Sequence, residues 1–158
     1  MQYTEEERDL LIEDIKEKGM SAEKTQYEQL YSMCTTCENP PKVSGTWNRT
    51  NVYSSESSIL EIENVDDNGY DFLIRAQFAD HSGCVEGRAY FISEHCAIYR
   101  LDEIDVGILP ETEYEYVLFV FEDDGVNIYA SANSAEMNLG MHVDVAGYYI
   151  SDVPEYID

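Results

Sequence analysis

The chain has 158 residues and a formal net charge of −24, with 33 carboxylates set against nine Lys and Arg. A field of that sign repels DNA, RNA and anionic membranes and attracts basic surfaces, so direct nucleic-acid binding is excluded. A hydrophobic fraction of 44% with thirteen Tyr excludes a disordered acidic tail and suits a folded domain with its own core.

The N-terminal run Met1-Gln2-Tyr3-Thr4-Glu5-Glu6-Glu7 has neither a basic n-region nor an apolar h-region, which predicts a cytoplasmic protein if Met1 is the natural start and a secreted one only if the natural N-terminus is longer. No segment approaches the roughly 18 apolar residues of a membrane span. Thr4 followed by Glu7 has the form of a capping box, and Lys16 and Lys18 sit where a helix dipole favours cations. Gly19 suits the residue after the helix end. Leu11, Ile12 and Ile15 form its narrow apolar stripe. Ser21 is the expected cap of a second helix, whose buried face is Tyr27, Leu30, Tyr31 and Cys34 at helical spacing. Residues 1–42 therefore read as a helical hairpin extension, and all four Lys lie within it. Asn39-Pro40-Pro41 cannot continue a helix and marks the boundary.

From residue 43 the period changes to two. Strands are expected at 44–52, 58–63, 70–78, 84–92, 96–101, 114–121, 126–131 and 147–150. Asp66-Asp67-Asn68-Gly69, Asp80-His81-Ser82-Gly83 and Asp123-Asp124-Gly125 supply turns between them. Gly87, within a strand, predicts a bulge or a barrel corner. Short strands without intervening helices predict an antiparallel barrel of about eight strands, or a sandwich, over residues 43–158. The fold class expected is α+β, mainly β.

Gly45-Thr46-Trp47 opens this region as many calycin and lipocalin-like barrels open, with G-x-W on the first strand. Residues 43–150 resemble small bacterial calycin-like domains, including lysozyme-inhibitor-type barrels. The resemblance continues through Tyr70-Asp71-Phe72, Gly87-Arg88-Ala89-Tyr90, Leu118-Phe119-Val120-Phe121 and Ala146-Gly147-Tyr148-Tyr149. It implies a barrel fold. A barrel of this size accommodates a small apolar ligand in some proteins, but an interior filled by side chains is the expectation.

Catalytic and metal motifs are weak. Cys34-Thr35-Thr36-Cys37 is a C-x-x-C pair, and zinc would need His81, Cys84, His95 or Cys96 beside it at an irregular spacing. The pair falls at a helix end, whereas a redox motif opens a helix, so free thiols are expected. Asp66-Asp67-Asn68 and Glu122-Asp123-Asp124-Gly125 offer oxygen ligands for calcium, but no twelve-residue loop pattern surrounds them, and acidic turns are the simpler reading. Nothing places a nucleophile beside a base, and no cofactor is implied.

The charge therefore carries the functional reading. After Arg100 there is no Lys or Arg, and fourteen carboxylates follow. In composition the chain resembles acidic nucleic-acid-mimic inhibitors, such as phage or mobile-element anti-CRISPR and anti-restriction proteins. The expectation is a non-enzymatic inhibitor or decoy that docks on a basic, nucleic-acid-binding surface, with carboxylates standing where phosphates would stand. The candidate binding residues are Asp102, Glu103 and Asp105, then Glu111, Glu113 and Glu115 with Tyr114 and Tyr116 as aromatic anchors, then Glu122, Asp123 and Asp124. The alternatives are a calycin-like module that inhibits a basic hydrolase such as lysozyme or carries a small ligand, and a charge that serves only solubility or a high-salt habitat.

Overall fold

The computed structural model describes residues 4–50, 52–53, 55–104, 107–131, 145–152 and 156–157. Helix α1 spans Glu5–Lys18 and helix α2 spans Lys24–Tyr31, joined by a 3-10 turn at Gly19–Ser21. The Thr4 side chain accepts the Glu7 N–H at 3.1 Å, and Gly19 closes α1 at φ 56°. The second cap differs from expectation. Ser21 turns back to the Lys18 carbonyl at 2.8 Å, and Glu23 with Gln26 forms the capping box of α2. The extra 3-10 residues move the helix start downstream of the serine.

The barrel strands are β1 (Gly45–Arg49), β2 (Glu56–Glu63), β3 (Gly69–Phe78), β4 (His81–Ser93) and β5 (Cys96–Leu101), then β8 (Glu115–Phe121), β9 (Val126–Ala130) and β10 (Gly147–Ile150). Between β5 and β8, the short strands β6 (Glu103–Ile104) and β7 (Gly107–Ile108) form a hairpin of their own, which the sequence pattern did not show. The fold is thus α+β, mainly β, with a closed eight-stranded antiparallel barrel rather than a sandwich. Each barrel strand pairs with the next one along the chain, and β1 closes the circle on β10 through Asn48↔Ile150 and Arg49↔Tyr149.

Alternation decides which side chains fill the barrel. Tyr70, Phe72, Ile74 and Ala76 of β3 point inward with Leu60 and Ile62 of β2 and Val85, Ala89 and Phe91 of β4. Phe91, Phe119 and Phe121 stand edge-on around the Tyr70 ring at 5.6–5.8 Å. This end of the interior is filled by aromatic side chains. Residues 32–43 cross beneath it. The Thr35 N–H donates to the Phe91 carbonyl at 2.9 Å, the Cys37 N–H donates to the Asp67 carbonyl at 2.7 Å, and Cys37 and Val43 join the barrel core. Trp47 packs there too, its indole N–H donating to the Val43 carbonyl at 3.1 Å.

A second core lies outside the barrel. Ile12, Ile15, Tyr27 and Leu30 of the helices cover Ile98 of β5 and Tyr116, Leu118 and Val120 of β8. Strand β8 is therefore buried on both faces, which is why it reads as a continuous apolar run rather than an alternating one.

Two local expectations are corrected. Gly87 is not a bulge: it pairs regularly with Phe72, and a Cβ there would lie 2.5 Å from Tyr99 Cε1. The glycine makes room for a ring. The register shift is between Phe91 and Ser93, against β5. The β3–β4 turn is also tighter than 80–83, because Phe78 pairs with His81 and leaves only Ala79 and Asp80 between them.

Candidate functional site

The chain leaves the barrel at the Leu101↔Glu115 rung and returns to it there, so residues 102–114 project from one rim. The Leu109 N–H closes the loop on the Asp102 carbonyl at 2.8 Å, and Glu111–Glu113 form a 3-10 turn. Glu103, Glu111 and Glu113 are exposed. Ile108, paired with Glu103, is 80% exposed, an apolar tip among carboxylates. Asp105 lies outside the described residues.

Other candidates on this rim are structural. Asp102 accepts from Arg100 at 3.1 Å, and the Arg100 guanidinium is held between the rings of Tyr31 at 4.4 Å and Tyr114 at 4.7 Å. That sandwich ties the end of α2 to the base of the projection. Glu115 is only 6% exposed. Its carboxylate pairs with Lys24 at 2.6 Å and accepts the Ser131 hydroxyl at 2.6 Å. Tyr116 is 3% exposed and lies against Tyr27 and Tyr31, with burial pushing its hydroxyl up to about 12. Neither is available as a surface anchor. They join the helices to the barrel, and the unbroken apolar run that follows them was the available signal.

The third cluster is at the opposite end. Glu122 to Gly125 form the β8–β9 turn, closed by the Glu122 N–H on the Gly125 carbonyl at 2.9 Å. A Cβ on Gly125 would meet the Tyr148 hydroxyl at 2.5 Å. Asp124 accepts that hydroxyl at 2.6 Å, and this bond holds the Tyr148 ionisation up at about 12. Glu122 accepts from Asn127 at 2.9 Å and lies 3.8 Å from Lys16. Asp123 is exposed. The length of β8 separates this turn from the rim projection by about 20 Å, so the predicted clusters form two acidic ends and not one patch.

A third surface was missed. The helices cover β5, β8 and the end of β4 at Ile92, but among the described residues no helix packs on the outer face of β2, β3 and β4 around Ile59, Leu73 and Glu86. Register places Ile59, Arg75 and Cys84 in one cross-strand row, Glu61, Leu73 and Glu86 in the next, and Glu63, Asp71 and Arg88 in the third. Arg75 pairs with Glu61 at 2.6 Å; Arg88 bridges Asp66 at 2.5 Å and Asp71 at 3.1 Å. Asp66 also accepts the Asn68 and Gly69 N–H groups, and the Asn68 bond leads the effects holding its carboxyl below the usual range. That is the arrangement of an acidic turn.

Cys34 is half-buried, and burial pushes its thiol up to about 11; Cys96 is pushed higher still for the same reason. All four cysteines are free thiols. His81 opens β4 at one rim, while Cys34, Cys37, His95 and Cys96 lie toward the other. Among the described residues no three His, Cys, Asp or Glu are grouped to hold a metal ion, and no helix is long and apolar enough to cross a membrane. No family model, curated protein or solved structure matches the chain.

Proposed function

We propose that this protein is a non-enzymatic acidic inhibitor or decoy that docks on the basic, nucleic-acid-binding surface of a partner protein, in the manner of phage or mobile-element inhibitors of host nucleases. One observation carries the reading. Among the described residues every Lys and Arg except Lys42 is already in an ion pair within the chain. The surplus carboxylates, Glu103, Glu111, Glu113 and Asp123 among them, face solvent without a cation of their own. Such a surface raises the association rate with a basic partner and loses it with salt.

The test is capture from host lysate at low salt, followed by a salt gradient and by competition with DNA and RNA. A defined nuclease or nucleic-acid-binding protein, displaced by nucleic acid, supports the decoy. Converting Glu111 and Glu113 to Lys, and separately Glu122, Asp123 and Asp124, assigns the end that binds: the engaged cluster loses about ten-fold or more in affinity and flattens the salt dependence. Diffuse basic proteins, all lost by about 0.15 M salt, would leave the charge with no role beyond solubility.

A second reading, a calycin-like module that inhibits a basic hydrolase or carries a small ligand, is supported by the barrel topology, in which eight strands follow one another in chain order. Its mark in the same experiment is a basic hydrolase that nucleic acid does not displace.

A further inference from the structure

The uncovered face of β2, β3 and β4 differs from the two acidic ends because it combines apolar side chains with the charge. Ile59 is 37% exposed, Leu73 is half-buried, and Cys84 and Glu86 are exposed. These residues line a broad depression on the outside of the barrel, about 800 Å³ in volume. A neighbouring hollow lies among Glu61, Glu63, Asp71 and Glu86. On the opposite side of the barrel a comparable apolar row, Ile98 and Leu118, is sealed by α1 and α2. Here nothing in the described chain performs that task.

The spacing of the charges says what kind of element would. Glu61, Leu73 and Glu86 are cross-strand neighbours, so the two carboxylates stand about 10 Å apart with the leucine midway between them. On an α-helix, residues seven positions apart are separated by about 10.5 Å along one face, with positions three and four between them. A helix with Lys or Arg at both ends of that span and a leucine-type side chain in the middle matches the row atom class for atom class. An extended strand does not: its same-face side chains recur every second residue, at about 7 and 14 Å. Glu86 makes no ion pair among the described residues, and Glu61 can release Arg75, which is 62% exposed. A second copy of this chain is the poorer occupant. Each face carries Glu61, Glu63, Asp71 and Glu86 against only Arg75 and Arg88, so two copies would meet with a net like charge on both sides, and each copy brings a charge of −24.

We propose that this face is a docking site for a basic amphipathic helix of a partner protein, seated on Leu73 and Ile59 and clamped by Glu61 and Glu86. The inference rests on the reading of the chain as a binder of basic proteins, and names the surface and partner element involved.

The experiment uses the full ¹⁵N-labelled chain and two synthetic helical peptides at about 0.15 M salt, where long-range attraction is screened. One peptide carries Lys at positions one and eight with Leu at four and five. The other has the same charge with Ser in place of both Leu. The expected result is amide shifts from the leucine peptide centred on Leu73, Glu61 and Glu86, with binding about ten-fold weaker for the serine peptide, for Leu73→Thr and for Glu86→Lys. Leu73→Thr places a β-branched residue, well suited to a strand, at a half-buried position, and Glu86→Lys alters an exposed side chain, so both variants retain the barrel; unchanged dispersion of the remaining amides verifies it. Shifts confined to residues 102–113 or 122–125, or equal binding of the two peptides, would overturn the site while leaving a basic partner in place. Absence of shifts with either peptide would also overturn it, and the nucleic-acid displacement assay then judges the broader reading alone.

Discussion

Gly87→Ala should destabilise the barrel for one reason, and that reason can be switched off. The new methyl would sit 2.5 Å from Tyr99 Cε1, whereas carbon atoms rest at about 3.5–4.0 Å, so the ring must move by about 1 Å or more. It has little room, because Tyr99 stands edge-on to Phe72 at 5.0 Å. Overpacking of this kind costs about 1–3 kcal/mol. For a chain of this size the melting temperature should fall by about 2–10 °C. In a Tyr99→Ala background the obstacle is gone, and alanine is then preferred to glycine in a strand by about 0.5–1 kcal/mol. The same substitution should therefore change sign. Urea unfolding of the wild type, both single variants and the double variant closes the cycle. An equal penalty in both backgrounds would show that Gly87 serves some other need.

Tyr70→Phe should be neutral to stabilising, by about 1 kcal/mol, because the Tyr70 hydroxyl is fully buried with no hydrogen-bond partner among the described residues; a loss above about 1 kcal/mol in urea unfolding would mean the hydroxyl is satisfied. Thiol titration of the native protein at pH 8 should give a fast phase from exposed Cys84 and a much slower one from Cys34, with Cys37 and Cys96 reacting only in denaturant. A fast pair assigned to Cys34 and Cys37 would reopen redox chemistry. Burial raises the ionisation of Tyr99 and Tyr116 to about 12 in the folded state, and of Tyr70 further. The unfolded chain releases those protons near pH 10, so their contribution to stability is complete below about pH 10 and is lost as pH rises toward 12. Tyrosinate absorbance and circular dichroism should change together in that window; full ionisation near pH 10 with the fold intact would refute the burial.

The barrel was legible because its strands alternate and its turns are chemically marked. Tyr70, Phe72, Ile74 and Ala76 declare an inward face, and Asp66 and Gly69 declare a reversal, using information local to a few residues. The rim hairpin at Glu103 and Ile108 was not legible, since two residues per strand establish no period. Charge alone misplaces Glu115 and Tyr116 at the surface; the failure of Val117-Leu118-Phe119-Val120-Phe121 to alternate is the sign of their burial, since a strand apolar on both faces is covered on both faces. The row of Glu61, Leu73 and Glu86 depends on the register of three strands across 26 residues. Each strand shows its own alternation, but the alignment that brings those side chains together exists only in the folded sheet.

The seam between the first and last barrel strands has a consequence for how the protein is made. Arg49 of β1 stands opposite Tyr149 of β10, a hundred residues later in the chain. A ribosome adding about 5–20 residues per second therefore leaves the outer edge of β1 open for about 5–20 s after it emerges. During that interval the nascent chain presents unpaired backbone amides and carbonyls to any other strand nearby. The like charge on every copy then acts before there is a folded surface to carry it, holding neighbouring nascent chains apart until the barrel can close.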